Sequence, residues 1–167
     1  MASDGVIVKI TGLEELKAAL KALPAKLRAR AIRNALTAGG RVFRDEAKRL
    51  TPVLKVSTYG GASAIRRGIR KPGTLRQAIR VRTSKQTRRA GDVGVFVNVK
   101  PAKGAQRGAR SPNDPYYWRW VEFGTRIKAG AQMLQTSGRT KMTQALERVK
   151  TTLKPAIEKL NRTGSAS

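Results

Sequence analysis

The sequence has no cysteine and no histidine, and it carries only ten acidic residues against 36 lysines and arginines. Without cysteine there is no disulfide framework and no thiolate chemistry. Without histidine the commonest general base and metal ligand is missing, and with neither residue a metal site is unsupported. No apolar run approaches the roughly 20 residues that a membrane span needs. The opening Met-Ala-Ser-Asp-Gly has neither a charged region nor an apolar one, so no signal peptide is expected. The expectation is a soluble protein made in the cytoplasm, used there or built into a particle there. Aromatics are also scarce, with three Phe, two Trp and three Tyr in 167 residues.

What is abundant is positive charge. The formal net charge is +26, which says little about fold and much about partners: nucleic acid, acidic protein surfaces or anionic lipid. A hydrophobic fraction of 40% suits one domain with a modest core. The sequence places that domain at residues 1–160, with 161–167 as a flexible tail.

Along the chain, Val6, Val8 and Ile10 alternate as a short strand would. Thr11 and Glu14 have capping-box spacing, and Leu13, Leu16, Leu20 and Leu23 follow on one helical stripe. A second helix is expected from Ala25 to Leu50, with Ile32, Leu36, Gly39, Phe43, Ala47 and Leu50 on its buried face. Gly39-Gly40 costs roughly 1 kcal/mol per glycine relative to alanine, which fits either close approach of another backbone or a tolerated weak point. Thr51-Pro52 ends the helix. Residues 54–72 and 101–115 read as long basic loops. Gly73 to Ile79 leads into a strand with Ile79, Val81 and Thr83 on one face and Arg80 and Arg82 on the other. A basic turn, Lys85 to Gly91, joins it to a strand in which Val93, Val95, Val97 and Val99 alternate with other residues, making a hairpin. Arg126 to Gly138 has no clear pattern. A last helix is expected over 140–160, with Met142, Leu146, Val149, Leu153, Ile157 and Leu160 on a stripe, kinked or split by Pro155. The fold class is α+β: a small antiparallel sheet with a basic hairpin, packed against two N-terminal helices and a C-terminal helix.

Catalysis has poor material. The acids are Asp4, Glu14, Glu15, Asp45, Glu46, Asp92, Asp114, Glu122, Glu147 and Glu158, and none forms a compelling acid–base pair. No glycine-rich phosphate loop with its lysine occurs. No enzyme activity and no cofactor are expected. Between Glu46 and Asp92, however, no acid interrupts a run of cations that includes Arg66, Arg67, Arg70, Lys71, Arg80, Arg82, Lys85, Arg88 and Arg89. A solvated face normally mixes signs. This one does not, so these residues are candidates for contact with DNA phosphates or an acidic protein.

Five of the eight aromatics fall in the run Tyr116-Tyr117-Trp118-Arg119-Trp120-Val121-Glu122-Phe123-Gly124-Thr125. Tyr116, Trp120 and Phe123 are spaced +4 and +3, and Tyr117 and Val121 +4, which favours a short helix ending at Gly124. Rings beside arginines could stack bases. Helical spacing favours burial in the core or a subunit interface, with Trp118 the ring that spacing explains least.

From Val6 to Leu160 the order of these pieces resembles the neck or tail-completion family of tailed bacteriophages, also labelled minor tail or head–tail joining proteins. The pieces are a strand, a Gly-Leu-Glu-Glu-Leu helix, a long helix ending Thr-Pro-Val, Gly-Thr-Leu-Arg-Gln-Ala-Ile, a basic hairpin, the aromatic run and a terminal helix. The most specific are Tyr116-Tyr117 with Val121-Glu122-Phe123-Gly124-Thr125, and Leu75-Arg76 with Ile79. Two features depart from the family pattern: Leu54 to Pro72 is an insertion before Gly-x-Leu-Arg, and Ala131-Gln132-Met133-Leu134 lacks the prolines usual after Phe-Gly-Thr. The resemblance implies a non-enzymatic virion protein, assembled in the host cytoplasm. It would form a homo-oligomeric ring at the head–tail junction along the DNA path. Its neighbours would be head-completion or connector proteins, tail-terminator or tail-tube proteins, and packaged DNA. The alternative that charge alone supports is a basic nucleic-acid-binding module.

Overall fold

A computed structural model of the protein describes residues 13–21, 25–54, 72–85, 87, 92–104, 107–108, 111 and 113–164. The expected strand at 6–10, the capping Thr11 and the loop between Leu54 and Pro72 lie outside the described residues, apart from its two ends. The elements are α1 (Leu13–Lys21), α2 (Ala25–Leu50), a single turn α3 (Thr74–Ala78), β1 (Ile79–Thr83), β2 (Val95–Val99), α4 (Trp118–Phe123) and α5 (Met133–Gly164). Helices packed on a two-stranded antiparallel sheet make the fold α+β.

The chain divides into two compact units. The first takes residues 1–42, 82–96 and 139–167. Its core is Ala31, Ala35, Leu153 and Ile157, with Ala19, Leu20, Val149, Ala156 and Leu160 packed around them. In this unit α2 buries Ala31, Ala35 and Gly39; of the expected face Gly39 is buried, as is Ala47 further along, while Ile32 and Leu36 are half-buried beside the alanines. The reason is distance. A Cβ on Gly39 would lie 2.6 Å from Val149 Cγ2 and 3.0 Å from the Ala145 carbonyl oxygen, so α2 and α5 approach too closely for large side chains between them. Of the two readings of Gly39, close backbone approach is the one observed. On α5 the same crossing buries Ala145, while Met142 is exposed and Leu146 half-buried.

The second unit takes residues 43–81 and 97–138. Ala47, Leu75, Ile79, Val99 and Met133 form its core, and Leu50, Ala78, Val97, Tyr117, Trp118, Val121 and Leu134 surround it. Helix α2 stops at the expected Leu50, where Thr51 Oγ1 donates to the Ala47 carbonyl at 2.6 Å and lies 3.1 Å from Met133 Sδ. The lead-in to β1, to which the sequence assigns no conformation, is helical. Gly73, at φ 76°, starts a helical turn closed by Gln77 N donating to Gly73 O at 2.9 Å. That turn places Leu75 and Ile79 four residues apart on one side, and both are buried.

The hairpin forms as expected. Ser84 N donates to Gly94 O at one end (2.8 Å) and Lys100 N to Ala78 O at the other (2.9 Å). This register sets Ile79 opposite Val99 and Arg82 opposite Phe96. Ile79, Val97 and Val99 face the second unit's core, and Arg80, Arg82 and Phe96 are exposed, as period-2 alternation requires.

Helix α5 begins at Met133, well before the expected 140, and runs through Pro155 as one helix of 32 residues. It is not split. Pro155 and Thr151, whose carbonyl loses the proline's missing N–H, are both exposed, so water can satisfy that oxygen.

Candidate interaction site around the aromatic helix

The expected short helix is present as α4, and Gly124 ends it at φ 85°, its N–H donating to Trp120 O. The face it buries is the other one. Tyr117, Trp118 and Val121 pack on the second unit's core. Trp120 is 56% exposed and Phe123 73%, and Tyr116 is also exposed. The core half of the burial expectation is thus corrected for Tyr116, Trp120 and Phe123. Spacing defines a stripe but not which of two adjacent stripes faces inward. Trp118, the ring least explained by spacing, supplies part of the anchor, with the Arg119 guanidinium 5.7 Å from its ring centre. On the outer side Tyr116 and Trp120 meet edge to face at 5.5 Å, and Tyr116 meets Tyr117 likewise at 5.7 Å.

After α4 the chain doubles back. Thr125 N donates to Lys128 O (2.8 Å), Ala131 N to Val121 O (2.7 Å) and Gln132 N to Glu122 O (3.1 Å). Thr125 Oγ1 accepts from Lys128 N at 3.2 Å. The two limbs cross where both residues are glycine: a Cβ on Gly124 would lie 2.6 Å from Gly130 N and 2.7 Å from Lys128 O, and a Cβ on Gly130 would strike the backbone of residues 122–124. At the tip of this turn Ile127 is 94% exposed.

Glu122 fixes the assembly. It is 3% exposed, and its carboxylate accepts from Leu134 N (3.1 Å to either oxygen) and Gln135 N (3.0 Å). These are orphan donors at the start of α5. That helix has no acid in its own first turn, so Glu122 supplies the negative charge its N-terminus favours. This explains why α5 starts as early as it does. Gln132, at φ 45°, precedes the helix and accepts from Thr136 N at 2.8 Å.

A second buried carboxylate, missed by sequence reasoning, holds the loop before the aromatic helix. Asp114 is 1% exposed and accepts from Ala102 N (3.1 Å) and Gly108 N (2.5 Å). The available signal was that it is the only acid within 101–115. Lys103 and Arg107 are exposed on this loop.

Of the expected cationic contacts, Arg80, Arg82 and Lys85 are exposed, and Arg82 lies 5.8 Å from the Phe96 ring centre. Arg66, Arg67, Arg70, Lys71, Arg88 and Arg89 lie outside the described residues. Elsewhere Glu46 grips Arg49 at 2.6 Å. That hydrogen bond, with its charge, pushes the guanidinium pKa further up. Among the described residues no cluster of Asp and Glu could hold a metal, and no helix is long and apolar enough to cross a membrane.

The turn thus presents apolar side chains to solvent, while Glu122 and Asp114 accept from backbone N–H groups. Residues 14–124 match an HK97-gp10-like family described as "Bacteriophage HK97-gp10, putative tail-component", and the chain belongs to that family. The match runs from α1 to the glycine that caps α4. No curated protein and no solved structure matches the chain.

Proposed function

We infer that this chain is a structural subunit of the phage neck, forming a ring at the head–tail junction that joins tail to head around the DNA path. The observation that carries this reading is the family match through the aromatic helix, whose outer side chains Trp120 and Phe123 are exposed and open to an assembly contact. The reading makes the whole chain one functional unit working without catalysis or cofactor, built into the virion in the host cytoplasm. Subunits with identical wedges close a ring through heterologous contacts. The exposed Arg80, Arg82 and Lys85, with the cations of residues 66–71 and 88–89, then face DNA or acidic neighbours, the connector and tail-terminator or tail-tube proteins.

The test is a phage deleted for this gene, which should yield filled heads and separate tails, or particles that break at the joint. Normal infectious particles without the protein would refute the assignment. The second reading, a basic nucleic-acid-binding module, draws on the exposed arginines of β1. Sequence-specific binding of the purified protein to free DNA would favour it.

A further inference from the structure

We propose that the outer side of α4 and its turn, Tyr116, Trp120, Phe123 and Ile127, plugs into an apolar pocket rimmed by carboxylates on a different virion protein. The inference rests on the assignment to the virion and adds which surface engages which kind of partner.

Large apolar side chains this exposed are unusual on a surface that faces only water. Here Phe123 and Ile127 are the two most exposed large hydrophobics of the described residues. Their backbone is held in place by Glu122 on the start of α5, the Gly124–Gly130 crossing and the Thr125–Lys128 turn. A projection whose backbone is already held loses less entropy on insertion, and aromatic anchors of this kind carry most of the energy of an interface.

Charge selects the occupant. Arg119, Arg126 and Lys128 are exposed around the ridge. All four acids of the second unit are engaged within the chain: Asp45 with Arg44, Glu46 with Arg49, and Asp114 and Glu122 with backbone N–H groups. A second copy would bring like charge against like on either unit, since the first unit too carries only six acids against 19 lysines and arginines. The partner is therefore another protein, one that supplies Asp and Glu around its pocket. DNA would supply the charge but not the pocket. The tip of the ridge is aliphatic, and Ile127 offers no ring for a base to stack on.

The test places the photoreactive residue p-benzoylphenylalanine at position 127 of the full-length protein and supplies it to the deletion phage. Ile127 is almost wholly exposed, so folding should be unaffected. Irradiated particles should show a cross-link to a different virion protein, mapping to an apolar segment flanked by Asp or Glu. A cross-link to a second copy, to packaged DNA, or to nothing in particles that contain the protein would overturn this inference while leaving the structural role standing. Failure of the neck assignment looks different: the protein is then absent from particles, and the deletion phage is already infectious. In parallel, Phe123→Ser with Ile127→Ser should leave the melting curve unchanged and lower complemented titre about tenfold or more, the loss of a hot-spot pair. Unchanged titre would overturn the inference. So would Arg126→Glu with Lys128→Glu complementing as well as the parent, since the rim would then not be read by charge.

Discussion

At the scale of single residues the site depends on two carboxylates and two glycines more than on its rings. Glu122 accepts two backbone N–H groups at the head of a 32-residue helix. Removing a buried acceptor strands those donors, which costs about 1–3 kcal/mol. Glu122→Ala should therefore lower unfolding free energy by that amount. Glu122→Gln, which keeps one acceptor oxygen but loses the charge facing the helix N-terminus, should lose less. Urea unfolding followed by circular dichroism measures both. An alanine variant as stable as the parent would show that the helix start does not need this cap. By the same logic Phe123 and Ile127, exposed beside it, should be nearly neutral for stability, so stability and assembly can be separated within one short segment.

At the scale of elements the sequence was legible where periodicity is strong and local. Helix α2 ends where Thr51-Pro52 says it must, and β1 and β2 alternate as their valines and arginines require. The short aromatic helix ends at its glycine. What was not legible depended on contacts distant in sequence. The start of α5 is set by Glu122, more than ten residues upstream. The inward face of α4 is chosen by the core it meets, and the buried stripe of α2 by how closely α5 approaches. Gly39 signals that approach in the sequence, but Ala31 and Ala35 do not, because a search for large hydrophobics passes over alanine. The crossing gives a paired prediction. Alanine normally gains about 1 kcal/mol over glycine inside a helix. Gly138, within α5, has nothing within 4 Å of a new Cβ, so Gly138→Ala should stabilise by up to that amount. Gly39→Ala would press on Val149, a stiff side chain, and on the Ala145 carbonyl, so it should destabilise despite the same gain in propensity. Thermal melts of the two variants should move in opposite directions. Two shifts of the same sign would mean that the helices part easily.

At the scale of the whole molecule the governing number is the net charge of +26. Closure of the proposed ring would bring such subunits together, and the work against that repulsion depends on screening. The screening length is about 30 Å at roughly 0.01 M salt and about 3 Å at roughly 1 M. At low salt, then, charges on one subunit act across the width of the next, while at high salt they act only on contact. Hydrophobic contacts at a subunit interface respond to salt weakly, and in the opposite sense from an attractive ion pair. If the ring is held by apolar contact and opposed by charge, the purified protein should be monomeric at low salt and associate as salt rises. A polyanion such as heparin, or an acidic neck protein, should replace salt at low ionic strength by neutralising the cations directly. Sedimentation velocity across that range reads the outcome. A stable oligomer at low salt with no anion present would show that the subunits neutralise one another through ion pairs. The few carboxylates of this chain, several already committed internally, make that the less favourable arrangement.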